Sequence, residues 1–203
     1  MKLLKSLTAA AAILALTGAA QAALVDLGGG MIYDTTLNIT WLQNWNTNGR
    51  MNWTAADNWA KKPGLSRFRD WRLPTSLNAD GTGPCVTALR CSGSEMGHMF
   101  CSNWSATAGN DFSTGTNAAN LALFTNVQSL VYWSGAEFAP IPVAAWGFFT
   151  DFGTQNPVDK FNALYAVAVR PGDVAAAVPE SQTLALALLA LGATMVVRRR
   201  RPG

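Results

Sequence analysis

All eight tryptophans of this 203-residue chain fall between Trp41 and Trp146. A span carrying so many large rings must bury most of them, and so must fold around one aromatic core. The same span is poor in charge. Between Ala23 and Ala177 nine Lys/Arg stand against eleven Asp/Glu, a balance of −2, although the whole chain carries +3. The excess lies at the ends, where Lys2, Lys5 and Arg198 to Arg201 supply six of the fifteen basic residues. Nucleic-acid binding requires clustered positive charge, so no nucleic-acid partner is expected.

The N-terminal end reads as an address. Lys2 and Lys5 precede the apolar stretch from Leu7 to Leu16, and Ala20-Gln21-Ala22 offers a small-x-small cleavage site. This is the pattern of a secretory signal peptide over residues 1–22, with signal peptidase as the partner. The C-terminal end carries three consecutive features: Val178-Pro179-Glu180, an apolar run from Leu184 to Val197, and the basic stop Arg198-Arg199-Arg200-Arg201. The run is fourteen residues long. As a helix it spans about 21 Å, short of a ~30 Å hydrocarbon core. With snorkelling arginines it is expected to serve as a marginal transmembrane helix, its basic end held in the cytoplasm.

That tail resembles the PEP-CTERM sorting signal, which the exosortase system of Gram-negative, polysaccharide-making bacteria reads and processes. Here the motif is Pro-Glu-Ser, with Ser181 standing where the family has a second proline. The resemblance implies an exosortase partner and a membrane-held stage before processing. A final place at the cell surface or in the extracellular matrix follows, with exopolysaccharide as a candidate ligand. An ordinary C-terminal anchor is the competing reading of the same residues.

Between the two ends lies one domain, residues 23–174, followed by a linker and tail over 175–203. Met31 to Tyr33 and Asn38 to Trp41 read as a strand pair around a Thr-rich turn. Thr54 with Asp57 forms a capping box, opening a short helix whose Ala55, Ala56, Trp59 and Ala60 share one face. Ser92 with Glu95 opens a second helix, with Met96, Met99 and Phe100 spaced for burial. Later the period switches to two, over Ala144 to Phe152 and Leu164 to Arg170. Helices early and strands late predict an α+β fold.

Asp70-Trp71-Arg72-Leu73-Pro74-Thr75, Tyr132-Trp133-Ser134-Gly135-Ala136-Glu137, Ala145-Trp146 and Val169-Arg170-Pro171 occur in that order. As an ordered set they resemble the Lcl C-terminal-type domain, a secreted family of largely unknown function. The resemblance implies a fold similar to C-type lectins and formylglycine-generating enzymes, with short helices against twisted antiparallel strands. It implies no agreed chemistry.

Arg72 needs a carboxylate if partly buried, and Asp70 and Glu137 are the expected suppliers. Trp71, Arg72, Trp133, Glu137 and Trp146 form the candidate ligand face, because tryptophan rings stack on sugars; the competing assignment of the rings is core. Cys85 and Cys91 bracket a Gly/Pro-rich loop and are a candidate disulfide in an exported protein. His98 is the only histidine, and Glu95-x-x-His98 places both side chains on one helix face. One such segment is too few ligands for a di-metal or zinc site, so a surface hydrogen bond is expected, and no metal or cofactor. Asn110-Asp111 and Asp151 to Asp159 carry oxygen ligands without a calcium-loop pattern. No nucleophile elbow or phosphate loop is present. The expected role is non-enzymatic; the alternative is an envelope enzyme with a site near Glu95, His98 and Cys101.

Overall fold

The computed structural model describes residues 24–62, 68–78, 80–84 and 93–173. Within them, seven strands form two antiparallel sheets, joined by a few short helices. The α+β expectation holds at that level. The first sheet has the order β1 (Leu24–Gly28), β2 (Met31–Asp34), β3 (Ile39–Leu42), β7 (Val169–Pro171). The second is a meander of β4 (Val131–Glu137), β5 (Ala144–Phe149) and β6 (Thr154–Asp159).

Local sequence explains the turns. Gly28 at the end of β1 and Gly29 and Gly30 in the turn to β2 all adopt positive φ, a run that side-chain-bearing residues would strain to follow. Between β2 and β3, the Asp34 carboxylate accepts from the N–H groups of Thr36 and Leu37, and Asn38 takes the left-handed position at φ 52°. The predicted strand pair is thus present, one residue longer at β2 and one residue later at the start of β3.

α1 (Trp53–Ala60) begins earlier than the Thr54–Asp57 capping box implied. Asn52 is the cap, its side chain accepting from Ala55 N at 2.9 Å. Asp57 is thereby released to pair with Lys61 at 2.6 Å. Ala56, Trp59 and Ala60 are buried, while Ala55 faces solvent. α2 (Glu95–His98) is capped by Ser94, which accepts from Gly97 N, not by Ser92, which lies outside the described residues. α2 runs straight into a π-helical turn, Met99–Asn103. Met96, Met99 and Phe100 are buried, as their spacing predicts. A 3-10 turn (Phe112–Thr114) and α3 (Ala118–Leu121) follow.

The segment from Leu164 to Val169 sews the sheets together. Leu164 bridges Met51, Tyr165 bridges Tyr132 of β4, Ala168 accepts from Leu42 N of β3, and Val169 bridges Arg72. Backbone pairing on both sides explains why Ala166, Val167, Ala168 and Val169 are all buried, with no exposed alternate face. The predicted strand over Leu164 to Arg170 is therefore realised as single bridges plus the short β7.

Seven of the eight tryptophans are buried, and Trp53 is half-buried. Trp45 is the hub. It stacks on Trp41 at 5.5 Å, lies 4.9 Å from Trp104, and meets Phe124 and Tyr132 edge-on.

One expectation is corrected. Among the described residues no helix is long and apolar enough to cross a membrane, so the C-terminal transmembrane helix is withdrawn. The run Leu184–Val197 that suggested it lies outside those residues, as do the leader 1–22, the sorting motif Val178-Pro179-Glu180 and Arg198 to Arg201.

Candidate functional site

The Asp70–Thr75 segment is the polar centre of the domain. Arg72 exchanges both backbone hydrogen bonds with Val169 at 2.8 Å, fixing the segment to the edge of the first sheet. Asp70 holds Arg170 of β7 through two hydrogen bonds of 2.7 and 2.8 Å, and that guanidinium lies 4.3 Å above the Phe68 ring. On the other side, the Pro74 carbonyl accepts from Ser134 Oγ at 3.0 Å and from Gly135 N at 2.9 Å, tying the segment to β4. Three of the four sequence motifs thus meet here, which gives them a shared structural task.

Arg72 takes its carboxylate from neither Asp70 nor Glu137. Its partner is Glu95, the first residue of α2, through a two-pronged pair at 2.6 and 2.8 Å. Glu95 also accepts from Thr75 N at 2.8 Å, so one carboxylate gathers three donors. That hydrogen-bonded carboxylate holds the Arg72 guanidinium above its usual pKa, with partial burial opposing. Asp70 is held below the usual carboxylate range, chiefly by its hydrogen bonds from Arg170. Glu137, 55% exposed at its side chain, pairs instead with Lys160 at 3.2 Å.

The tryptophans expected on the ligand face are not on a face at all. Trp71 is 2%, Trp133 0% and Trp146 3% exposed. Trp133 donates its indole N–H to the Met51 carbonyl, and Trp146 packs edge-on against Phe138. With most of each ring covered by protein, none offers a plane for a sugar to stack on.

Glu95, His98 and Cys101 turn to different neighbours. Glu95 belongs to Arg72, so the expected Glu95–His98 surface hydrogen bond gives way to a longer-range pair. His98 points its Nε2 inward, 3.9 Å from Asp34 Oδ2 and without a hydrogen-bond partner among the described residues. Asp34, 1% exposed, accepts from Asn103 Nδ2 at 2.7 Å, joining the β2–β3 hairpin to the π-helical turn. Cys101 is half-buried against the core on that turn. Among the described residues no group of three or more His, Cys, Asp or Glu side chains is assembled to hold a metal. Cys85 and Cys91 lie outside the described residues.

Arg72 also forms a ridge between two depressions. One, of about 420 Å³, lies between Asp57 and Lys61 of α1, Leu73 and Thr75, and Gly135 and Ala136 of β4. The other, of about 330 Å³, is bounded by Leu37, Asn38, Ile39, Glu95 and Pro171. Leu77 and Arg72 line both. Sequence reasoning singled out Arg72 but missed Asn38, Asp57, Lys61 and Leu77, because no local signal distinguishes a groove wall from an ordinary surface.

No protein-family model matches the chain, and no curated protein matches it.

Proposed function

We propose that this is an exported protein of the cell surface or extracellular matrix, sorted by an exosortase, whose body works by binding. Exopolysaccharide is the candidate ligand. The observation carrying the reading is the order of segments: a leader with its Ala20-Gln21-Ala22 site, a weakly charged body, then Val178-Pro179-Glu180, the apolar run and Arg198 to Arg201. The body is further proposed to have the C-type-lectin-like arrangement implied by its resemblance to the Lcl C-terminal-type domain; two antiparallel sheets with short helices are compatible with it. A binding role is favoured over catalysis because Glu95 and Asp34 are each taken up by hydrogen bonds that hold the fold together.

The test is intact mass and terminal peptides of the protein purified from its native host. Loss of the residues after about Glu180, or their replacement by added mass, supports sorting. Retention of Arg198 to Arg201 sinks it.

A further inference from the structure

We infer that the two depressions flanking Arg72 form one groove that takes a neutral, hydroxyl-rich ligand, namely two adjacent sugar rings of an uncharged glycan. The inference rests on the binding role proposed above and specifies its site and ligand class.

Size comes first. Depressions of about 420 and 330 Å³ each fall in the range of small-molecule sites, and Arg72 and Leu77 form their common wall. A ligand crossing the ridge therefore meets two similar compartments in succession, as two repeats of an oligomer would.

Charge decides the class. Among the described residues two cations line the groove, Lys61 and Arg72, and each is already paired with a carboxylate at 2.6 Å, Asp57 and Glu95 respectively. Among the described lining residues no uncompensated charge is left to attract an ion, and an anionic ligand would have to compete with Asp57 and Glu95 for the same donors. What the paired groups do offer is fixed hydrogen-bonding edges: the Arg72 side chain remains 37% and that of Lys61 60% exposed. Hydroxyls, which donate and accept in turn, match such edges.

Beside the polar Thr75 and Asn38, much of the remaining wall is apolar. Leu73, Leu77 and Ala136 line one compartment; Leu37, Ile39 and Pro171 line the other. A sugar ring presents C–H faces as well as hydroxyls, so it can satisfy both kinds of wall at once, whereas a simple polyol or ion leaves the apolar part wet.

Isothermal titration of the protein purified from its host tests this, with cellohexaose and mannohexaose as neutral probes and hexaguluronate as the acidic one. At least one neutral probe is expected to bind at least tenfold more tightly than the acidic one. Ala136→Trp, which fills one compartment, should weaken that binding at least tenfold. Lys61→Met, a surface change that leaves packing alone and so guards against misfolding of the first variant, should weaken it severalfold. Phe161→Ser, at a side chain 78% exposed outside the groove, should leave it unchanged. Absence of neutral-probe binding, tighter binding of hexaguluronate, or unaltered binding by folded Ala136→Trp and Lys61→Met overturns the groove. If the host's polysaccharide binds all variants equally, the groove fails while the binding role stands. The sorting reading is decided separately by the terminal mass.

Discussion

The cluster around Trp45 and the ridge around Arg72 handle polar groups in opposite ways. In the cluster, the indole N–H groups of Trp41, Trp45 and Trp104 are buried without a hydrogen-bond partner among the described residues. Stacking and edge contacts outweigh that cost, since each ring buries a large apolar area. On the ridge, Glu95 gathers three donors and solvent reaches Arg72 from two sides. The difference teaches where recognition belongs. The aromatic mass is scaffold, and the satisfied polar edge is the surface on offer.

Removing the hub should break the first half of this contrast most severely. Trp45→Ala leaves a cavity where five aromatic rings meet, and a loss of about 3–5 kcal/mol is expected in chemical denaturation. Trp45→Phe should lose clearly less, because it also removes an unpartnered N–H. Next in size, Glu95→Ala strands Thr75 N–H and the half-exposed Arg72, for about 1–2 kcal/mol after solvent takes up part of the charge. A cost for Glu95→Ala matching that of Trp45→Ala would mean that the ridge, too, is core.

A smaller effect is expected from acid. Because the Asp70 pKa is lowered in the folded state, its pairing with Arg170 stabilises the fold above the unfolded value of about 3.9 and is lost as pH falls through the folded value. The thermal midpoint of the wild type should therefore drop towards that of Asp70→Asn as pH falls below about 4. Parallel curves across that window would discount the pair. Least of all, Lys61→Met should change stability by at most about 0.5 kcal/mol, since Asp57–Lys61 is an exposed i,i+4 pair.

Much of the scaffold was legible locally. Met31 to Trp41 announces its hairpin through alternation and a Thr/Asn turn, and the Met96, Met99, Phe100 spacing announces its buried face. The caps shifted by two residues because neighbouring polar side chains compete. Asn52 outcompeted Thr54, and Ser94 rather than Ser92 caps α2, which frees Glu95 for a partner 23 residues away. That partner was not legible, since proximity along the chain favours Asp70. The burial of Trp71, Trp133 and Trp146 was equally hidden: a ring in a strand-like segment looks the same in sequence whether its far side is solvent or packed protein.

Iodide quenching of tryptophan fluorescence tests the central assignment most directly, because all eight tryptophans lie within the described residues. With the rings as scaffold, quenching of the folded protein should be weak, and saturating cellohexaose or mannohexaose should leave it unchanged. Strong quenching that either sugar relieves would put tryptophan rings in the ligand site and contradict the account.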